Sequence, residues 1–167
     1  DVYKRQALLS GDVDLVEDPP TDDLERLRKD SKLTVTTKPS NRVIYVALDQ
    51  NGETTPGIPD TAGKNPLLDK RVRQALSLAI DRQALVDRIM GGVATPAAQL
   101  LPPPMFGTSK NLVKAEKADA AKAKQLLADA GYPNGFSITL GTPNGRYIND
   151  SKVCLLYTSD AADERSS

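Results

Sequence analysis

The densest concentration of chemistry-bearing side chains lies between Asp69 and Arg88, in the run DKRVRQALSLAIDRQALVDR. Arg71, Arg73, Arg82 and Arg88 are the residue type that grips phosphate, and they suggest nucleotide or nucleic-acid binding. They alternate with Asp69, Asp81 and Asp87. Interleaved opposite charges read more simply as a solvated helix face with local ion pairs, each contributing about 0.3–0.5 kcal/mol. A second group lies in the loop TPNGRYIND, Thr142 to Asp150, where Asn144, Arg146 and Tyr147 are candidate ligand contacts. The planar fork of Arg146 can hold a carboxylate through two parallel hydrogen bonds. Pro143-Asn144-Gly145 specifies a turn, so these residues also serve as ordinary turn chemistry. A third candidate is Tyr45, in the apolar run RVIYVALDQ. Its ring can pack on a solute while the hydroxyl makes a hydrogen bond, and it fits a protein core equally well.

Much catalytic chemistry is excluded. The chain has no His, which removes the neutral-pH proton shuttle and any His-based zinc site. It has a single Cys, so no disulfide closes within it. No GxSxG, P-loop or metal-ligand cluster is present, and the chain reads as non-enzymatic, with no cofactor and no metal. The 22 basic and 22 acidic residues cancel, which argues against a nucleic-acid or membrane-surface partner. At 167 residues the chain has the length of one ordinary domain. No apolar run approaches the length of a membrane-spanning helix.

The elements that must position these residues follow from pattern. ALLSGDVDLV, Ala7 to Val16, carries a turn at Gly11-Asp12 and a short strand at Val13–Leu15. Thr21 or Asp22 caps a helix through Lys29 that buries Leu24 and Leu27. Leu33–Lys38 reads as a strand, and Arg42–Leu48 as a second, buried one. Residues 51–65 are rich in Gly, Pro, Asn and Asp and form a loop. Asp69 caps a helix burying Val72, Ala75, Leu76 and Ala79. Asp81 caps the next, with Leu85, Val86 and Ile89 inward and Gly91-Gly92 at its end. Pro102–Pro104 mark an extended segment. Asp119 caps a helix to Ala130 that buries Ala123, Leu126, Leu127 and Ala130, and Gly131 stops it. Phe136–Leu140 alternates as a strand. The class is α/β, in the sense of a mixed α+β order.

The two ends differ from the rest. DVYKRQ, Asp1 to Gln6, and CLLYTSDAADE, Cys154 to Glu164, translate the mosaic-end sequence of a sequencing transposase, the second as its reverse complement continued into the adjoining primer. Residues 1–6 and 154–167 are therefore expected to be adapter-derived and are set aside like any fusion scar. Cys154 is then not native, and the segment of interest is Ala7 to Val153.

Four ordered stretches within it carry a family likeness: GDVD (Gly11 to Asp14), VIYVALDQ (Val43 to Gln50), the long run from Asn65 to Ala97, and AAKAKQLLADAGYPNGFSITL (Ala120 to Leu140). Together they resemble solute-binding family 5 of bacterial ABC importers, which includes oligopeptide-, dipeptide-, glutathione- and nickel-binding proteins. Departures are few; Asp49 stands where the family often has Asn after the strand, a mild change. The resemblance implies an internal fragment of a two-lobed protein with the periplasmic-binding-protein type II fold, which closes on its solute by hinge motion. Residues 7–50 would be the end of the first lobe and the hinge strand, and 51–153 the start of the second lobe. By position, the family's cleft would be lined from the first side by Glu17, Ser40, Arg42 and Tyr45, and from the second by Asn144, Arg146 and Tyr147. Glu17 would suit an amine or cationic solute. Residues that grip peptide termini in the family would lie mostly beyond Val153. The implied partners are a peptide or related small solute and the membrane subunits of an ABC permease. The protein would be monomeric, periplasmic or extracellular, and membrane-associated only through the transporter. Rival readings are a sensor or chaperone without a transporter and a helical DNA-binding module. The fragment alone is expected to be unstable and unable to bind, because its strands lack sheet partners.

Overall fold

In the computed structural model the described residues are 2–59, 61–103, 105–112, 114–143 and 145–153. Helix α1 (Val2–Ser10) is built from VYKRQALLS, which contains neither Gly nor Pro. It stops at Gly11, whose φ of 82° suits a residue without a Cβ. The helix crosses the boundary between Gln6 and Ala7 without a break and is tied down by an Arg5–Asp23 ion pair at 2.5 Å. The apolar stretch at Ala7–Ser10, to which the sequence assigns no element, is thus helical. The strand expected at Val13–Leu15 is absent, and Leu15 is exposed.

A single 3₁₀ turn (Thr21–Asp23) leads into α2 (Leu24–Lys29), which buries Leu24 and Leu27 as its spacing predicts. The side-chain cap expected from Thr21 or Asp22 is not made. Both side chains are committed elsewhere: the Thr21 hydroxyl accepts a hydrogen bond from Asn149 at 2.7 Å, and Asp22 pairs with Lys152 at 2.9 Å.

The main packing unit is α3 (Lys70–Leu78) against α5 (Ala120–Asp129). Asp69 and Asp119 begin them as predicted, each carboxylate accepting a backbone N–H of the first turn. The buried face of α3 is Val72, Ala75 and Leu78, with Leu76 partly covered. Ala79, expected inside, is exposed because the helix ends at Leu78 and Ala79 already serves as its C-cap. Leu127 of α5 packs against two clusters, one of Ile58, Leu67 and Val72 and one of Ala75, Leu78 and Ala123. The Tyr132 and Phe136 rings close the first cluster edge to face at 5.1 Å. Gly131, at φ 93°, reverses the chain after α5.

Between these helices, α4 (Arg82–Ala84) is capped by Asp81 and continues as a π-helical turn (Leu85–Ile89) that buries Val86. Asn65 fixes the long loop before α3. Its carbonyl oxygen caps the 3₁₀ turn Pro66–Leu68, while its NH₂ donates to the carbonyls of Asp49 and Gly52, both at 3.0 Å.

The β half of the expected class is not seen among the described residues. Among the described residues no strand pairs with another. Residues 33–38, 42–48 and 136–140 lack sheet partners, and Ile44, Tyr45 and Val46 are exposed rather than buried. The Thr139 N–H bonds the Gly57 carbonyl at 2.8 Å, but no ladder grows from it. A strand is stable only when a neighbour satisfies its N–H and C=O groups.

Candidate functional site

The loop before the chain's last described helical turn is held from beneath by two residues. Asp150 is buried at 6% exposure, and its carboxylate accepts backbone N–H bonds from Gly145, Arg146, Tyr147 and Ser151 at 2.8–3.2 Å. Those bonds, that from Tyr147 foremost, hold its pKa below the ordinary carboxylate value, against an opposing contribution from burial. Asn149 adopts φ 57°, the left-handed region that Asn tolerates better than most residues. Its NH₂ donates to Thr21 Oγ1 and to the Ile89 carbonyl, both at 2.7 Å. The loop is thus tied both to the turn before α2 and to the end of the π-helical turn.

On this base stand Arg146 and Tyr147. The Arg146 guanidinium carbon lies 5.4 Å from the centre of the Tyr147 ring. Arg42, distant in sequence, brings its own guanidinium carbon to 5.8 Å from the same centre. Ser40 shapes that approach, its hydroxyl accepting the Arg42 N–H at 3.2 Å. Each cation–π contact is worth about 0.5–1 kcal/mol at an exposed site. The structure therefore joins Ser40, Arg42, Arg146 and Tyr147 into one cluster. Glu17 and Tyr45 do not join it. Both are exposed, Tyr45 at 65%, with no hydrogen bond, ion pair or ring contact to the described residues. Asn144 lies outside the described residues. Asp150 and Asn149 escaped the sequence reading, although an Asn-Asp pair just ahead of a helical turn is a recognisable capping signal.

The arginine run of α3 and α4 is occupied structurally. Arg71 pairs with Asp69 at 2.6 Å and donates to the Asp129 carbonyl at 2.5 Å. Arg73 donates to the carbonyls of Leu67 and Leu68, and Arg82 to the Ser77 carbonyl and hydroxyl. Only the first of these is the ion pairing expected; the others satisfy open carbonyls at turns and helix ends. These three guanidinium groups are thereby engaged, and Arg88 is exposed. An open groove of about 440 Å³ is lined by Glu53, Lys64, Asn65, Asp69 and Tyr132 among others, and contains none of the candidate residues. Among the described residues no helix is long and apolar enough to cross a membrane.

The profile described as "Bacterial extracellular solute-binding proteins, family 5 Middle" matches residues 3–163. The chain belongs to this family. Heme-binding protein A of Haemophilus influenzae is 33% identical over 129 residues, covering 77% of this chain and 21% of that protein. Glutathione-binding protein GsiB of Shigella flexneri is 32% identical over 137 residues, covering 81% and 24%. The dipeptide-binding protein of Escherichia coli is 32% identical over 122 residues, covering 73% and 20%. In three dimensions the chain matches HbpA2 of Haemophilus parasuis with a TM-score of 0.66 at 27% identity, over 98% of this chain and 30% of that one. The family chain described here thus spans about a fifth to a quarter of the length of the curated relatives it matches. The match extends into both terminal stretches that the sequence suggests are adapter-derived.

Proposed function

We propose that this chain is an internal part of a longer extracytoplasmic protein that binds a small solute, foremost a peptide, and delivers it to an ABC permease. In this reading residues 7–50 end one lobe, residues 51–153 begin the other, and the extended segments complete their sheets with chain from the rest of a two-lobed α/β protein. The observation that carries the proposal is the meeting of Arg42 and Tyr147–Arg146, from opposite halves of the chain, on an exposed surface in a member of a solute-binding family. Binding would be non-catalytic, with energy coming from lobe closure over the solute and polar groups fixing its orientation. Glutathione, dipeptides and haem, the solutes named in the relatives, differ in size, but each carries at least one free carboxylate.

Mass spectrometry of the solute carried by the purified longer protein tests the reading. Peptides released on denaturation support it. A sugar or metal chelate overturns the peptide assignment, and haem transfers it to the class of the first relative. Sequencing the gene across both junctions from genomic DNA tests the adapter reading; codons for DVYKRQ directly before Ala7 in the genome would overturn it.

A further inference from the structure

We infer that the groove beside Asn65 is a second small-molecule site, separate from the arginine cluster, and that it takes a small zwitterion with an apolar body, the class of a free aliphatic amino acid. Its volume of about 440 Å³ lies within the range of small-ligand pockets. Asn65, 5% exposed, fixes its floor. The Asn65 NH₂ holds the carbonyls of Asp49 and Gly52, the latter directly before Glu53, and its carbonyl oxygen holds the Leu67 N–H directly before Leu68. One rim is a tight turn: the Lys64 N–H donates to the Thr61 carbonyl at 3.1 Å, and the Thr61 hydroxyl donates to the Lys64 carbonyl. Within that turn Ala62 sits at φ 51°, a left-handed conformation that an alanine disfavours. Strain of this kind persists only where the surroundings impose it, and it gathers at ligand sites.

Charge then selects the ligand. The carboxylate of Asp69 is already engaged by Arg71 at 2.6 Å. Glu53 and Lys64 are exposed, and among the described residues neither side chain has an ion pair or a hydrogen bond. The groove is thus lined by one free carboxylate and one free ammonium. A simple anion or cation is attracted by one of them and repelled by the other, whereas a zwitterion is attracted by both. Apolar groups supply the rest of the lining. Leu68 is 48% exposed where its neighbour Leu67 is 3% exposed, and Pro66 and Ala130 flank it. The Tyr132 ring, braced edge to face by Phe136 at 5.1 Å, adds a flat wall for an aliphatic side chain.

Matched probes test this. The longer protein is titrated with L-leucine, with leucinamide, which lacks the carboxylate, and with 4-methylpentanoate, which lacks the ammonium, and binding is followed by saturation-transfer NMR. Leucine binds with a Kd on the order of 1 mM. Each analogue binds about two- to fivefold more weakly, the effect of one exposed charge pair. In Lys64→Gln the preference for leucine over leucinamide disappears, and in Glu53→Gln the preference over 4-methylpentanoate disappears. Both positions are exposed, so the variants keep the parent's melting temperature, which is checked in parallel. Absence of leucine binding, equal affinity for all three probes, or preferences that persist in both variants, as they would for leucine held in the solute cleft, overturns the inference. The solute-binding reading is decided separately, by whether the protein carries a solute at all, and neither result decides the other.

Discussion

The Asn149 anchor makes a prediction whose components can be separated. Asn149 does two things: it occupies a left-handed backbone conformation at φ 57°, and it donates two hydrogen bonds, to Thr21 Oγ1 and the Ile89 carbonyl. Asn149→Gly keeps the conformation and loses both bonds. At roughly 1 kcal/mol per bond, that costs the loop about 2 kcal/mol. Asn149→Ala loses the bonds and also strains the backbone, which adds about 1–2 kcal/mol. The readout is local. Hydrogen exchange of the Arg146 and Tyr147 amides, bonded to Asp150, and of the Val153 amide, bonded to the Asn149 carbonyl, reports opening of this loop. Protection falls roughly thirtyfold in Asn149→Gly and roughly another tenfold in Asn149→Ala, taking 1.4 kcal/mol per decade. Thr21→Val, which removes one of the two acceptors, costs about half of the Gly effect and adds less than its full value to it. Equal protection in the Gly and Ala variants would refute the backbone argument. Protection changed by less than about twofold in both would refute the anchor itself.

Leu67 is 3% exposed in the cluster with Ile58 and Val72, so Leu67→Ala destabilises the protein by about 2–5 kcal/mol, measured by urea unfolding; a loss under about 1 kcal/mol contradicts the packing. Gly131 sits at φ 93° with open space where a Cβ would go, so Gly131→Ala costs about 1–2 kcal/mol from backbone strain alone, and a neutral result in the same unfolding assay contradicts it. The pKa of Asp150 is depressed by its backbone N–H bonds, so its contribution is complete above the ordinary carboxylate value of 3.8 and is lost as pH falls below that. Exchange protection of the 145–147 amides, corrected for the intrinsic pH dependence, therefore drops below that value in the parent and stays flat in Asp150→Asn; parallel pH profiles contradict the assignment.

The legible parts of the fold were those decided within a few residues. Asp69, Asp81 and Asp119 each stand at a helix start, and each carboxylate receives the N–H that such a position leaves open. The glycines at 91, 92 and 131 take the positive φ that ends a helix. The strands were not decided locally. LTVTTK and RVIYVAL have the composition of strands, but pairing needs a neighbour that no described residue supplies, so these segments run extended with Tyr45 in solvent. Burial on α3 differed at its end because the helix stops at Leu78 and Ala79 is already its C-cap, and the helical period does not encode where a helix stops. In the site, Arg146 and Tyr147 were legible as loop chemistry. Their meeting with Arg42 was expected from the family resemblance, which set both on one cleft, and not from the spacing of the two segments. Glu17 and Tyr45 were placed beside them by resemblance alone, and the structure leaves both apart.

The arginines divide by what their guanidinium groups meet, and the division separates family identity from ligand identity. Arg71, Arg73 and Arg82 lie in the run that most strongly carries the family likeness. All three donate to main-chain carbonyls, at the end of α5, in the 3₁₀ turn before α3 and near the end of α3. Arg82 spans the Ser77 carbonyl and hydroxyl with two separate nitrogens of its fork, whereas Arg73 makes both its bonds from the single Nη1. These three arginines therefore support the scaffold, while Arg88, in the same run, is exposed. Arg42 and Arg146 lie outside it, in an extended segment and a loop, and spend their charge on a shared ring at the surface. Substituting the first group should lower stability and leave discrimination between solutes intact. Substituting the second should do the reverse, and a variant of Arg73 that changed solute preference at unchanged stability would break the division.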